Sequence, residues 1–385
     1  MSERGSAAPL RVVHVVRQFS PCVGGLEGGV QSMAHYQRET LGIDARVVTL
    51  DRAFTAPAIR LPPEDNVQGI PVKRLPWRGS TRYPIAPGVV RAVHEADVVH
   101  VHAIDFFFDA LAATSPWHGR PMIATTHGGF FHTGAQMGLK RLYFRTVTRA
   151  SVRAYHTIVA CSPADAAMFA PVAGRRMVLI ENGVDVDKFA GRAAQQLTQH
   201  IITFGRFASH KRIEVLFDLL ARLRRSGDWT LIVAGSPGDR GPDELAARAE
   251  AAGVGSAVRF NLSPSEEELA TAIGEASYFA SASAFEGFGL AAVEAMSAGL
   301  LPVLSAIPPF SALIERAGEG ILFDPADLDA AAVNLLAIHA AGDLDGATRA
   351  RTMQAASTYA WPAVAAAYAG VYQDAIRRST RAAAS

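Results

Sequence analysis

One loop carries the side chains of this chain best suited to chemistry. The loop belongs to the stretch 281–296, follows an apolar run typical of a buried strand, and leads into a helix predicted from about 290 to 298. Glu286 lies in the loop, and Glu294 lies one turn into the helix. Backbone N–H groups at a helix start bind anions, whereas carboxylates accept hydrogen bonds from hydroxyl groups. The segment that offers both is Glu286, Gly287, Phe288, Gly289 and Leu290.

Two cations precede this loop in the same half of the chain. Arg206 lies near the end of a strand predicted over 201–207, and Lys211 follows it. The carboxyl ends of parallel strands meet at one edge of a sheet, so these cations can face the same crevice as the glycine loop. Two fixed cations and a helix N-terminus favour a diphosphate. Glu286 would accept from sugar hydroxyls and Glu294 from a ribose, so the group predicts a nucleotide diphosphate sugar.

The first half offers a glycine turn and a histidine at similar positions. Gly24 and Gly25 lie in the turn after the first predicted strand, where folds of this kind bind phosphate. The turn lacks Gly-x-Gly-x-x-Gly, so a dinucleotide is not indicated, and a flexible turn without a ligand is the alternative. His127 follows a strand predicted over 122–126, at the edge where a substrate would bind. A purely structural histidine is the alternative there.

A basic helix is predicted over 140–155. Its arginines recur every four residues, so they share one helical face, and no acidic residue occurs between 128 and 164. Basic amphipathic helices of this type lie on anionic lipid. A solvated face, or a face that binds phosphates, is the alternative. The predicted membrane-contact residues are Arg141, Arg145, Arg149 and Arg153.

Composition limits the classes of protein to consider. The chain has 385 residues, which suits two domains, with 49% hydrophobic and 19% charged residues, typical of a globular protein. Its net charge of +1 does not favour nucleic acid as a partner, and its two cysteines, Cys22 and Cys161, form no metal-binding or disulfide pattern. No apolar run reaches the ~18 residues of a membrane span, and the first apolar run makes a poor signal peptide. We expect a cytoplasmic protein.

The order of strands and helices predicts an α/β fold. Apolar strands alternate with amphipathic helices, and the pattern restarts near residue 200, which predicts two Rossmann-like, doubly wound parallel-sheet domains facing a cleft. Residues 56–88 contain seven prolines and are predicted to be largely irregular, apart from a strand at 72–75. The predicted divisions are a disordered start at 1–9, an acceptor domain at 10–190, a linker at 191–199, a nucleotide-sugar domain at 200–360, and a C-terminal helix at 361–385 that crosses back to the first domain.

These motifs resemble those of retaining glycosyltransferases of the two-Rossmann GT-B architecture, specifically family 4. The pair Glu286 and Glu294 is similar to the family's Glu-x7-Glu signature, and Arg206 with Lys211 is similar to its phosphate-binding pair. Further similarities are Gly24-Gly25 to its first glycine loop, His127 to its acceptor-side histidine, and 182–185 with Phe189 to the motif that ends its first domain. The resemblance covers roughly residues 10–375.

The resemblance implies a function and a subfamily. Residues 16–21 and 126–133 look like those of bacterial exopolysaccharide α-mannosyltransferases, which use GDP-mannose and a polyprenyl-diphosphate-linked oligosaccharide. The chain departs from the family pattern at Arg212 and Asn261, where members often have glycine, so its base pocket is expected to differ in detail. The sequence Asp185-x-Asp187 is of a kind that holds divalent metals in some enzymes, but it follows Asn-Gly turn chemistry and falls in the hinge motif. No metal or other cofactor is therefore expected.

Other functions remain open on the sequence alone. A UDP-sugar donor with another acceptor is the nearest alternative, and a phosphorylase or epimerase could act on the same nucleotide sugars. Two Rossmann-like halves also fit an NAD-dependent dehydrogenase, although the dinucleotide fingerprint is absent. A two-lobed sugar-binding protein without catalysis would require no nucleotide. The sequence does not specify the linkage position or the oligomeric state.

Overall fold

The computed structural model describes residues 8–22, 24–81, 83–127, 138, 142–342 and 346–383. The chain forms two compact units. The first contains residues up to 183 together with 361–385, and the second contains 184–360. This division falls earlier in the chain than the predicted boundary at 190, and the predicted linker lies inside the second unit, where Ala193 and Ala194 are buried.

The first unit is built on a largely parallel sheet. In the described residues its strands lie in the order β10-β9-β8-β7-β1-β2-β4-β3, and only β3 pairs antiparallel to its neighbour. The strands are β1 (Arg11–Val15), β2 (Asp44–Leu50), β3 (Glu64–Val67), β4 (Ile70–Leu75), β7 (Val98–His102), β8 (Met122–Thr125), β9 (Thr157–Ala160) and β10 (Met177–Leu179). The central strands are valine-rich and buried along their length, as expected for a sheet covered on both faces.

The helices of the first unit cover this sheet. They are α1 (Gly25–Leu41), α2 (Val89–Ala92), α3 (Phe106–Ala113), α4 (Ser115–His118), α5 (Arg149–Val152), which follows a π-helical turn at Phe144–Thr148, and α6 (Pro163–Ala173). The last helix of the chain, Trp361–Ala383, also belongs to this unit, and its Tyr368 and Tyr372 are buried in the core beside β1 and β7.

The proline-rich segment 56–88 is more ordered than predicted. It contains β3 and β4, which pair with each other, and a separate antiparallel hairpin of β5 (Arg78–Ser80) and β6 (Tyr83–Ile85). Pro71 lies at the second position of β4, opposite Asn66 of β3 and before the residues of β4 that pair with β2, and Pro84 lies in the β5–β6 hairpin. The prediction of a mostly irregular excursion was therefore wrong, because a proline near the start of a strand or in a two-stranded hairpin does not prevent strand formation.

The second unit repeats the architecture with a fully parallel sheet. Among the described residues the strand order is β13-β12-β11-β14-β15-β16. The strands are β11 (His200–Phe204), β12 (Thr230–Gly235), β13 (Val258–Leu262), β14 (Tyr278–Ser281), β15 (Leu301–Ser305) and β16 (Ile321–Phe323). The helices are α7 (Ile213–Leu223), α8 (Pro242–Ala251), α9 (Glu266–Glu275), α10 (Leu290–Ser297), α11 (Pro308–Ala317), α12 (Leu328–Ala341) and α13 (Gly346–Ser357), and the final helix, Trp361–Ala383, is α14.

In both sheets the predicted site residues lie at the carboxyl ends of the strands. The strand order reverses direction beside β1 in the first unit and beside β11 in the second, which are the switch points where α/β folds bind ligands. The α/β fold class with two Rossmann-like sheets is therefore confirmed. None of the helices that the structure describes is long and apolar enough to cross a membrane.

Candidate active site

The glutamate loop of the second unit connects β14 to α10. Gly289 caps the helix with a left-handed backbone (φ 93°), which glycine adopts without strain. A Cβ at this position would also lie 2.8 Å from a ring carbon of buried Phe310. The left-handed backbone and the close approach of Phe310 together explain why the loop requires glycine here.

Glu286 and Lys211 form an ion pair in this loop. The Lys211 Nζ lies 2.6 Å from Glu286 Oε1, and their side chains are 24% and 11% exposed. The same carboxylate oxygen accepts a hydrogen bond of 2.7 Å from Ser283 Oγ. Arg206 and Gly289 line the same pocket, whose floor includes Phe204 and Phe279. The structure therefore brings the two predicted cations together with Gly289 and Glu286.

Arg212 occupies a position with a backbone typical of glycine. Its φ of 47° lies in the left-handed region, which accounts for the glycine expected there from the family pattern. The arginine adopts this conformation and donates from Nε to the carbonyl oxygen of Ala282, 2.9 Å away. The side chain thus ties the start of α7 to the glutamate loop, a contact that glycine could not make.

Glu294 is not among the residues that line this pocket, although Ala291 and Ala292 of the same helix are. It is largely buried in the second turn of α10, and burial raises the pKa of its carboxyl, partly offset by the nearby Lys188 ammonium. Asp185 and Glu266 raise this pKa further. Asp185 itself accepts a hydrogen bond from the Lys188 backbone N–H at 3.2 Å, as in a turn, which is the alternative to metal binding that its sequence context favoured.

The glycine turn of the first unit begins α1. Gly24 is the N-terminal cap of the helix, with extended backbone, and a Cβ on Gly25 would meet no heavy atom within 4 Å. A Cβ on Gly24 would lie 2.4 Å from a carboxylate oxygen of Glu27. The helix start is therefore open at Gly25, while Glu27 adds a negative charge to its first turn.

His127 lies at the carboxyl end of β8, as predicted. It is half-buried and has a left-handed backbone (φ 51°). Burial lowers the pKa of its imidazole to about 4, so the ring is neutral at physiological pH. Its Nε2 lies 3.0 Å from Nδ1 of His102. His127 is the half-buried end of a buried polar cluster that was not predicted, although the alternation Val-His-Val-His at 99–102 was a visible signal in the sequence.

The basic segment packs its inner side and exposes its outer side. Phe144 is buried against Phe169, and Tyr143 donates a hydrogen bond to Asp109 on α3. Leu142 and Val147 are 59% and 40% exposed, and the arginines at 145, 149 and 153 are exposed. The π-helical turn breaks the single continuous helix that was predicted over 140–155. Arg141 lies outside the described residues.

Two protein-family models match the chain, one in each half. Residues 23–188 match the model described as Glycosyltransferase Family 4, and residues 188–351 match the one described as Glycosyl transferases group 1. The chain belongs to glycosyltransferase family 4. The family and architecture predicted from the glutamate, lysine and glycine motifs are thereby confirmed.

Relatives of this glycosyltransferase cover nearly its whole length. It is 49% identical to the GDP-mannose:cellobiosyl-diphosphopolyprenol alpha-mannosyltransferase of Komagataeibacter xylinus, over 98% of this chain and 96% of that protein. The protein of the same name from Xanthomonas campestris is 43% identical over 95% of this chain and 97% of its own length. A phosphatidyl-myo-inositol mannosyltransferase of Mycobacterium tuberculosis is 29% identical, over 90% and 93% of the two chains.

Solved structures share the fold of this glycosyltransferase. A glycosyltransferase from Rickettsia africae matches with a TM-score of 0.75 and 15% identity, over 96% of this chain and 99% of that one. HepE from Anabaena, solved in complex with UDP, matches with a TM-score of 0.75 and 19% identity, over 95% and 100%. At these identities the likeness concerns the fold alone.

Proposed function

We propose that this glycosyltransferase moves mannose from GDP-mannose, with retention of configuration, onto a polyprenyl-diphosphate-linked oligosaccharide in exopolysaccharide synthesis. The support is the identity of 49% and 43% to two proteins named for that donor and that class of acceptor. The observation in this chain that carries the proposal is the Lys211–Glu286 pair at the start of α10, in one pocket with Arg206.

The charged groups of this pocket suit a departing diphosphate. Lys211 and Arg206 would hold its oxygens, with the N–H groups that begin α10 at Gly289. A phosphate that binds Lys211 would compete with Glu286 for the ammonium, which frees the carboxylate to accept from sugar hydroxyls. Stabilisation of this kind acts on charge that develops in the transition state, and one such donor contributes on the order of 10²–10³ in rate. Glu294 is proposed as the ribose ligand.

The reaction is proposed to need no strong base from the protein. The bond from the anomeric carbon to the phosphate oxygen breaks, and its electron pair stays on GDP. The acceptor oxygen bonds to the anomeric carbon from the same face, and its proton passes to the departing phosphate oxygen. Neutral His127 would orient a hydroxyl of sugar or acceptor, with Gly24 and Gly25 on the acceptor side. With two side-chain cations for the diphosphate, and Asp185 engaged in a turn, we propose that catalysis is metal-independent.

Membrane contact is proposed for the basic segment at 142–153. The acceptor carries a polyprenyl chain, and this segment presents exposed arginines beside exposed Leu142 and Val147. Apolar side chains that enter the interface, together with cations at its surface, are the features of peripheral helices on anionic lipid. A cytoplasmic location of the chain stays a prediction.

The direct test is a transfer assay with labelled GDP-mannose and a cellobiosyl-diphosphoprenol acceptor. We expect label in the lipid product, an α anomeric configuration by NMR, and equal rates with and without EDTA. UDP-glucose and ADP-glucose serve as competing donors. Transfer from UDP-glucose but not from GDP-mannose would contradict the proposed donor, and loss of activity in EDTA would contradict the proposal on metals.

A further inference from the structure

A row of imidazoles runs from His127 into the core of the first unit. His127 Nε2 lies 3.0 Å from His102 Nδ1, and His102 Nε2 lies 2.9 Å from His14 Nδ1. His14 Nε2 lies 2.8 Å from the side-chain oxygen of Gln37. The row begins at the edge of the sheet and ends at α1, crossing β7 and β1 on the way. We call these three histidines and Gln37 the relay.

The glutamine end of the relay fixes the direction of every hydrogen bond in it. An amide oxygen only accepts, so His14 must carry its proton on Nε2. A neutral ring has one proton, so His14 Nδ1 accepts, and His102 must donate from Nε2. By the same rule His102 Nδ1 accepts from His127 Nε2–H. Neutral His127 is then left with the lone pair on Nδ1.

A second branch of hydrogen bonds starts from the amide nitrogen of Gln37. Its amide nitrogen donates to the hydroxyl oxygen of Tyr372 on α14, 2.9 Å away. That hydroxyl lies 2.9 Å from His100 Nδ1, and His100 Nε2 lies 2.8 Å from the Thr125 hydroxyl. His100 Nδ1 is a better acceptor for the Tyr372 proton than the Met33 sulfur, which lies 4.0 Å away. Tyr372 therefore donates to His100, which in turn donates from Nε2 to Thr125. Rotation of the Gln37 amide would require both branches to reverse together.

Burial keeps the inner histidines of the relay and of the second branch uncharged. His14, His100 and His102 are fully buried, and burial lowers the pKa of His14 to about 4 and the pKa values of the other two well below their ordinary range. The same three rings lie close enough together to hold a metal ion. However, the facing nitrogens of His14 and His102 already bond to each other, and both nitrogens of His100 are used by Tyr372 and Thr125. A metal would have to break these bonds.

We propose that His102, His14 and Gln37 are positioning residues that hold His127 as the Nε2–H tautomer, so that Nδ1 accepts a hydrogen bond from a substrate hydroxyl. This inference rests on the proposed function, and it specifies which chemistry His127 offers to the substrate. The relay disfavours the Nδ1–H tautomer of His127, which would donate a hydrogen bond to the same hydroxyl. Wrong-tautomer histidines are costly in enzymes in which one ring nitrogen must accept a proton.

A matched pair of variants at His102 tests the relay. In His102→Gln, the amide oxygen can accept from His127 and the amide nitrogen can donate to His14, whereas His102→Met has similar volume and no strong hydrogen bond. ¹⁵N NMR of histidine-labelled protein reports the tautomer directly. We expect Nε2–H at His127 in the wild type and in His102→Gln, and a mixture of tautomers in His102→Met.

Kinetics provide the second readout. The His102→Met variant should lose kcat on the order of 10²-fold, as expected for a misoriented group, with an unchanged KM for GDP-mannose, and His102→Gln should recover most of the loss. Thermal unfolding checks that both variants fold. Tyr372→Phe, which removes one oxygen, is the alternative if they do not, and should let Gln37 rotate and give a mixture of tautomers at His127.

Several outcomes would overturn the relay. These are an Nδ1–H tautomer at His127 in the wild type, an unchanged tautomer in His102→Met or Tyr372→Phe, and displacement of the His14 and His102 resonances by stoichiometric zinc. The NMR result does not depend on turnover. A wild type that holds the Nε2–H tautomer but transfers no mannose would contradict the proposed function alone, whereas transfer with equal kcat in His102→Gln and His102→Met would contradict the relay alone.

Discussion

The two units place different chemistry at similar points of similar sheets. In the second unit the site is charged, with Lys211 against Glu286 and Arg206 exposed beside them. In the first unit the site residue, His127, is neutral and ends a row of buried, hydrogen-bonded rings. Both sets lie at the carboxyl ends of parallel strands, so the fold supplies the location and the side chains decide the chemistry.

The contrast fits the two tasks proposed for the units. A diphosphate carries charge that must be balanced as it departs, so fixed cations and a helix start are useful there. An acceptor hydroxyl is neutral, and a charged group beside it would hold water or phosphate instead. Burial of the relay keeps His127 uncharged at the cost of placing several polar rings in the core, and that cost is offset because their nitrogens are hydrogen-bonded.

The largest effect is expected at Glu286. Glu286→Gln keeps the shape and removes the charge that pairs with Lys211. The sugar hydroxyls would then lose the carboxylate proposed to accept their hydrogen bonds. We expect kcat for mannose transfer to fall by on the order of 10³-fold, at the upper end for one preorganised group. Thermal unfolding should show an intact fold. Activity within threefold of wild type would remove Glu286 from the site.

A slightly smaller effect is expected at Lys211. Lys211→Met keeps the length of the side chain and removes its charge, which should lower the rate by roughly 10²–10³-fold. Calorimetry should show weaker binding of GDP with little change for guanosine, because in the proposed site the ammonium would contact the diphosphate alone. Lys73→Met, on an exposed strand position of the first unit, is the matched control. Equal losses for GDP and guanosine would argue against a phosphate contact.

The neutral relay predicts a dependence of stability on pH. The pKa of His14 is about 4 when folded, below the ordinary 6.5, so the unfolded chain binds more protons between these values. Stability is therefore present above pH 6.5 and falls as pH drops toward 4, by on the order of 3 kcal/mol for this residue. Buried Asp105, whose pKa is raised to about 6, acts in the opposite direction over part of this range.

Urea unfolding between pH 4 and 8 measures this dependence. His14→Gln should flatten the slope between pH 6.5 and 4, whereas the exposed His94→Gln should leave it as in the wild type. An equal slope in wild type and His14→Gln would mean that His14 is not held neutral by the fold.

Much of the candidate site in the second unit could be predicted from the sequence, and the relay could not. Regular alternation of strands and helices places Arg206, Lys211 and Glu286 at one sheet edge without any knowledge of contacts. His100 and His102, two residues apart on β7, were visible as a pair on one face of a strand. The partners of these histidines could not be identified from the sequence, because His14 and Gln37 come from β1 and α1. Only the strand order β7-β1-β2 brings His14 opposite His100.

Two other features were not predicted, each for a local reason. The prolines of 56–88 hid strands in which proline lies near the start, as Pro71 does in β4, or in a two-stranded hairpin, as Pro84 does in β6. The side chain of Glu294 could be placed on α10 from the spacing, but its neighbours Lys188, Asp185 and Glu266 come from two other segments. Spacing along one helix does not specify what packs against it.

The smallest effect is expected at the basic segment. Reversal of Arg145 and Arg149 to Glu should weaken binding to anionic liposomes, since each surface cation contributes about 1 kcal/mol near such a membrane. The exposed Arg192 and Arg225 of the second unit, reversed together, give the same change in net charge at another location. Co-sedimentation with phosphatidylglycerol vesicles should separate the two double variants. Equal sedimentation would favour a solvated face.

Stabilisation by the donor is the most direct test of the charged site in the second unit. Wild-type protein is unfolded by heat with GDP-mannose, UDP-glucose or ADP-glucose present in excess. A donor at about a hundred times its dissociation constant stabilises the fold by about 2.7 kcal/mol. We expect GDP-mannose to raise the unfolding temperature in the wild type and to raise it much less in Lys211→Met. Stabilisation by UDP-glucose or ADP-glucose without stabilisation by GDP-mannose would contradict the assignment, as would an equal shift in wild type and Lys211→Met.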